Sequence, residues 1–209
     1  MKCIESEADY HIHANYNDHS SSDMTIPNII NVATEKNLNK IAITEHVRKT
    51  SEWIPGYLAE INNVKKIASD LEIIPGFEAK ILSDGTIDFP ETYKQFYIIA
   101  SFHTKYVKKE IWIYALNSVL EIEYVDVIGH LAPEESFDLT SEELENLARL
   151  IKKNDKVVEL NAKYIRPPLE WVSEFKRHGV KFHLGSDAHR LQDIGDFNSI
   201  NHLIDYVNT

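Results

Sequence analysis

The sequence predicts an α/β fold of seven βα units around a mostly parallel sheet. Three observations lead there. Apolar, β-branched runs alternate with helical patterns along the whole length. At 209 residues the chain suits one domain, 1–209, large enough for a barrel or a layered α/β core. Its 43% hydrophobic and 26% charged content is ordinary for a globular protein in water.

The elements follow in order. Residues 8–13 read as the first strand. Thr25-Ile26-Pro27-Asn28 opens a helix to about Asn37, with Pro27 in the first turn, where its missing N–H costs nothing. Ile29, Ile30, Val32 and Ala33 form its buried stripe. Residues 40–44 make the second strand, ending in Glu45-His46, and a helix spans about 56–70. Residues 71–78 are the third strand, and 81–89 a hairpin turning at Asp84-Gly85. The fourth strand, 95–101, runs into Phe102-His103 and is followed by a helix over 108–121. The fifth, 124–128, ends in Gly129-His130, and Thr140-Ser141-Glu142-Glu143 caps the helix that runs to Lys153. The sixth, 156–160, ends at Asn161; Pro167-Pro168 starts a helix through Arg177 that Gly179 stops. The seventh, 180–184, leads into Gly185-Ser186-Asp187-Ala188-His189, and a last helix covers 197–207.

The C-terminal end of every strand carries a potential ligand: His11 and His13, then His46, Glu78, His103, His130, Asn161, and Asp187 with His189. On a strand, residues i and i+2 share a face, so His11 and His13 aim two imidazoles at one point. In a barrel of parallel strands that end is where active sites are built. Counting His19 in the loop after the first strand, seven of the ten histidines fall at this rim, which a core-histidine explanation does not cover. The other three read differently: His178 as a partner of a helix C-terminus, His202 as solvated, His183 as a hydrogen-bonded core residue.

Composition excludes several classes. A formal net charge of −11 without a basic stripe argues against nucleic acid as partner. Two or three divalent ions would offset part of that charge where carboxylates converge. No apolar run is long enough to span a bilayer, and the first residues lack a signal-peptide pattern. A single cysteine, Cys3, rules out an internal disulfide and points to the cytoplasm.

On Asp9-Tyr10-His11-Ile12-His13, His19, Thr44-Glu45-His46, Gly76-Phe77-Glu78, Ser101-Phe102-His103, Ile128-Gly129-His130, Glu159-Leu160-Asn161 and Gly185-Ser186-Asp187-Ala188-His189, the chain resembles the PHP (polymerase and histidinol phosphatase) family, in its histidinol-phosphatase-like branch. The resemblance implies a distorted seven-stranded TIM-like barrel and two or three divalent ions drawn from Mn, Fe and Zn. Carried over by position, His11, His13, Glu78 and Asp187 hold one ion. Glu78, His103 and His130 hold a second, and His19, His46 and His189 a third. A carboxylate can bridge two cations where an imidazole nitrogen cannot, and the absence of cysteine from the set argues against a closed structural zinc site.

The expected chemistry is hydrolysis of a small phosphate monoester, histidinol phosphate or similar. Two ions about 3.5–4 Å apart would acidify a water that attacks phosphorus in line. Asp187 or His189 could protonate the leaving alkoxide, and Glu78 completes the catalytic set. Arg166 and Arg190 are the first candidates to clamp the phosphate, with Arg48 and Lys105 behind them. The connections after His46 and His103 are shorter than in histidinol phosphatases of this type, and 162–168 departs from the family's continuation after Glu-x-Asn, so the metal site carries over and the substrate does not. Rivals are a PHP-type phosphodiesterase or exonuclease acting on nucleic acid or nucleotides, a non-catalytic metal-binding module, and an amidohydrolase, which would use a lysine where this chain has Glu78.

Overall fold

The computed structural model describes residues 4–65, 70–132 and 137–209. Seven parallel strands form one sheet in chain order: β1 (Ala8–Ile12), β2 (Lys40–Val47), β3 (Glu72–Lys80), β4 (Tyr97–Ser101), β5 (Val127–Ile128), β6 (Val157–Asn161) and β7 (Lys181–Gly185). The sheet curls until its last strand meets its first. His13 N donates to Ala188 O (3.0 Å), and Ile12 bridges Ala188 in parallel. The carboxylate of Asp9 reinforces the seam, accepting from the backbone N–H of Ser186 (3.0 Å) and Gly195 (2.8 Å). The result is the nearly closed barrel expected.

Helices α1 (Ile26–Glu35), α2 (Ile54–Lys65), α3 (Lys109–Leu120), α4 (Ser141–Lys153), α5 (Leu169–Arg177) and α6 (Asn201–Asn208) cover the barrel. Their starts follow local chemistry. The Thr25 hydroxyl accepts from Asn28 N at the head of α1. Thr140 and Glu143 form a reciprocal capping box at the head of α4, with contacts of 2.7 and 3.2 Å. His178 ends α5 and lies 2.9 Å from Glu174 one turn back, and His202 is exposed on α6.

Between β3 and β4 the hairpin expected over 81–89 is reduced to a single antiparallel bridge, Ile81 with Ile87, around the Asp84-Gly85 turn, followed by one 3-10 turn, Glu91–Tyr93, and among the described residues no α-helix joins the two strands. Gly85 has φ +81°, which explains a glycine there. Strand β5 is two residues long, and β3 runs on to Lys80. The expected stretch of the second helix over 66–69 lies outside the described residues.

Burial follows the pattern of a parallel barrel. Ile41, Ile43, Phe77, Ile98, Ala100, Ile128, Val158 and Leu160 are fully buried between strands and helices. Among the described residues no helix is long and apolar enough to cross a membrane.

Candidate metal centre

The histidines expected at the strand ends converge on one carboxylate. Glu78, near the end of β3, is 1% exposed, and five imidazoles reach it. His46 Nδ1 lies 2.7 Å from Oε2, and His103 Nε2 and His130 Nε2 each lie 3.1 Å from Oε1. His11 Nε2 and His13 Nε2 stand 3.5 and 3.6 Å from Oε2. Strand register makes this possible: parallel pairing puts His46 of β2 directly beside Glu78 of β3. Asp187, 4% exposed, closes the site from the β7 side with Oδ1 3.4 Å from His13 Nε2.

Two of these groups hold backbone that non-glycine residues rarely adopt. His130 has φ +27° and Asp187 φ +53°, strain of about 1–3 kcal/mol each that the surrounding contacts must hold in place. For His130 the hold is its own N–H, which donates to Glu159 at 2.7 Å. For Asp187 it includes the Asn161 amide at 3.3 Å and the Lys163 ammonium at 3.0 Å.

Polar groups packed this closely form a donor set for a cation. The Nε2 atoms of His11 and His13 face each other at 3.0 Å, and one proton at most can lie between them. His11 Nδ1 donates to Glu159 at 2.6 Å, so its Nε2, in the neutral ring, directs a lone pair into the site. Glu78 Oε2 and His13 Nδ1 are buried with no hydrogen-bond partner. The nitrogens and carboxylate oxygens fall into three compact groups: His11, His13 and Glu78; His46, Glu78 and His103; His13, His46 and His189. A set of imidazole and carboxylate donors without sulfur suits Mn, Fe or Zn.

The electrostatics divide the histidines. Burial alone would raise the Glu78 carboxyl, but His103, His11 and His46 outweigh it and hold it well below the usual carboxylate range. Burial opposes charge on His11 as well, yet Glu159, Glu78 and Asp187 hold its pKa well above the ordinary value, so that without an ion in the site His11 favours its protonated form and must lose the Nε2 proton to ligate a metal. Burial, then the neighbouring His13, pushes His46 down to about 4. Burial, His13 and Lys163 push His189 down to about 3. A neutral imidazole is the form that ligates a metal.

Some expected site residues stand apart. His19 is the most exposed of the site histidines: its side chain is 57% exposed and its ring centroid is 5.3 Å from that of His46; like the expected ligands His130 and Asp187, it belongs to none of the three compact groups. Arg48 lines the cleft of about 990 Å³ above the site. Arg166 and Lys105 do not line it; the Arg166 guanidinium donates to Ala132 O at 2.9 Å. Arg190 lines a neighbouring recess and is held by Asp193 at 2.9 and 3.2 Å. His183 is buried inside the barrel, its Nδ1 2.8 Å from the Tyr97 hydroxyl.

Three residues of the site carried no role in the sequence reading. Glu159, fully buried in β6, takes His11 Nδ1, His130 N and the Asn161 amide (3.1 Å). Glycines at the ends of both neighbouring strands, Gly185 closing β7 and Gly129 just past β5, make room for it. A Cβ at Gly185 would meet Glu159 Oε1 at 1.9 Å, and one at Gly129 would meet Oε2 at 3.3 Å. A charged residue inside the apolar run Val157-Val158-Glu159-Leu160 was the available signal. Glu45 takes the His46 N–H (3.0 Å) and the Asn17 amide, tying the loop that carries His19 to β2. Lys163, two residues past β6, reaches Asp187.

A family model described as "PHP domain" matches residues 9–163. The chain belongs to the PHP domain family. Among curated relatives, a probable phosphatase of Acetivibrio thermocellus is 29% identical over 216 residues, covering 95% of this chain and 86% of the relative. The DNA polymerase/3'-5' exonuclease PolX of Bacillus subtilis is 26% identical over 207 residues; the match takes in 91% of this chain but 35% of that protein. Among solved structures, the histidinol phosphate phosphatase of Lactococcus lactis, complexed with zinc, L-histidinol and phosphate, superposes with a TM-score of 0.75 at 21% identity, covering 98% of this chain and 94% of that one. A putative histidinol phosphatase from Listeria monocytogenes gives the same TM-score and identity, over 93% of this chain and 99% of that one. The PHP fold is therefore shared by this chain and by phosphate-ester enzymes.

Proposed function

We propose that this PHP protein is a metal-dependent phosphatase that hydrolyses a small phosphate monoester, histidinol phosphate or one like it. One observation carries the reading: a buried glutamate, Glu78, ringed by five imidazoles at the C-terminal mouth of the barrel, two of them on one oxygen and three on the other. The likeness to a probable phosphatase over most of both chains supports it.

In this reading His11, His13, Glu78 and Asp187 hold one ion, Glu78, His103 and His130 a second, and His19, His46 and His189 a third. The ions, when bound, supply a nucleophile at neutral pH and neutralise charge on the phosphoryl oxygens. The protein's own residues do the rest. Glu78 offers an oxygen to each side. Glu159 fixes the tautomer of His11 and the backbone of His130, so both present Nε2 to the site. Arg48 lines the cleft and is a candidate for the phosphate, whereas Arg166 and Lys105 do not line it and Arg190 lines the neighbouring recess. Asp187 or His189 is the candidate proton donor to the leaving alkoxide; both are held below their ordinary pKa, so the proton either one donates is first taken from the attacking water.

The test is to measure bound metal by mass spectrometry and then assay a panel of phosphomonoesters, histidinol phosphate among them, with and without chelator. Two or more bound ions and hydrolysis that chelator abolishes are expected. Fewer than two ions and no chelator-sensitive hydrolysis would leave a non-catalytic PHP module.

A further inference from the structure

Among the described residues, Lys163 brings an ammonium into direct contact with Asp187. Its Nζ lies 3.0 Å from Asp187 Oδ1 and 5.1 Å from the centroid of the Tyr164 ring, which itself packs 5.0 Å from the His130 ring. His189 Nδ1 is 3.2 Å from the ammonium and 2.9 Å from the Asp187 carbonyl. One nitrogen cannot accept from the ammonium and donate to the carbonyl at once. Asp187 is thus the one firm partner among these, and an ammonium has three donors.

The position is open to substrate. The Lys163 side chain is 37% exposed and forms the wall shared by the cleft of about 990 Å³ and a neighbouring recess of about 830 Å³, together with His19, Asp187 and His189. A phosphate ester entering from either side meets the same ammonium. The two arginines first expected to do this work are engaged elsewhere, Arg190 with Asp193 and Arg166 with Ala132 O.

We propose that Lys163 is a phosphate-binding residue of this cleft, its ammonium donating to a non-bridging phosphoryl oxygen beside Asp187 and His189. This deepens the phosphatase reading and rests on it. As a compact point charge with rotatable donors, a lysine can keep Asp187 and take an oxygen at the same time.

The experiment compares metal-loaded wild type, Lys163→Met and Lys163→Arg, with inorganic phosphate as the calorimetric probe and a monoester in parallel kinetics. Expected are phosphate binding at least tenfold weaker in Lys163→Met, a KM raised at least tenfold with kcat changed less, unaltered metal content, and recovery of most binding in Lys163→Arg. Equal phosphate affinity in wild type and Lys163→Met overturns the proposal, as does a wild type that binds no phosphate. An additional bound ion in Lys163→Met overturns it too, because the ammonium would then have been standing in for a metal. The two readings fail separately: phosphate held through Lys163 without hydrolysis of any monoester removes the phosphatase, whereas hydrolysis with unchanged phosphate affinity removes only Lys163.

Discussion

The candidate centre has two walls built on different principles. The inner wall (His11, His13, His130 and Asp187) is buried and braced by groups that have no access to solvent. Glu159 holds His11 and His130 at once, Asn161 reaches both Glu159 and Asp187, and Asp9 locks the β1–β7 seam beneath them. The outer wall (His46, His103, His189 and His19) is partly exposed, from 17% for His189 through 24% and 28% to 57% for His19. Its histidines meet the site mainly through Glu78 and through one another. Where the bracing is buried, the ligand geometry is set before an ion arrives. Where it is exposed, the ion must contribute more of the ordering itself. Glu78 belongs to both walls, with Oε1 toward His103 and His130 and Oε2 toward His46, His11 and His13.

The largest effect is therefore expected at the shared residue. Glu78→Ala removes the acceptor around which five imidazoles are arranged, so both walls should lose metal together. Activity should fall by a factor on the order of 10³ or more, with bound metal reduced by at least one equivalent in mass spectrometry. Retention of full metal content with only a modest loss of rate would show that the walls hold their ions independently, and the description of Glu78 as a bridge would be abandoned.

The inner wall can then be broken alone, by shape or by charge. Gly185→Ala puts a Cβ 1.9 Å from Glu159 Oε1 and 2.8 Å from the His11 Cβ, in a part of the barrel with nowhere to move. A cost of about 1–3 kcal/mol is expected, read as a fall in Tm of roughly 2–4 °C per kcal/mol. A variant as stable as wild type would mean that Glu159 is not tightly held. Glu159→Gln tests the charge with shape kept. His11 Nδ1 loses its anionic acceptor, and metal affinity should weaken by about 10–100-fold while the fold survives. Unchanged affinity in a competition with a chelator of known strength would reduce Glu159 to a packing role.

Much of the inner wall was legible in the sequence, and the reason is periodicity. Two-residue alternation placed His11 and His13 on one face, and strand ends located His130 and Asp187 without any knowledge of the barrel's curvature. Glu159 escaped because its role depends on two glycines, Gly129 and Gly185, that come next to it only once β5, β6 and β7 are in register. Lys163 escaped for a related reason: the path of the loop after β6 decides whether its ammonium faces Asp187 or water, and no periodic pattern governs a loop. The same holds for the arginines, whose guanidinium groups can reach several partners from one backbone position. Helix starts were readable where a cap fixed them, as at Thr140, and the third crossover was read as a hairpin from the Asp84-Gly85 turn.

The smallest effect is expected at the end of the outer wall. His19 sits on a loop tied to β2 through the Asn17 amide and Glu45, and its own imidazole has Asp18 at 3.8 Å and the His46 ring as neighbours. An imidazole that is more than half exposed lowers its entropy when it closes on an ion, and so contributes less to affinity than one already fixed. His19→Ala should lower the occupancy of the weakest-bound ion and reduce activity less than tenfold, with the other ions and the Tm unchanged. Added metal should restore the rate, because the remaining His46 and His189 stay in place. If His19→Ala instead matches Glu78→Ala in lost metal and lost rate, the loop is as much a part of the centre as the barrel floor. The difference between the walls would then lie in solvent exposure alone, not in how firmly each holds its ion.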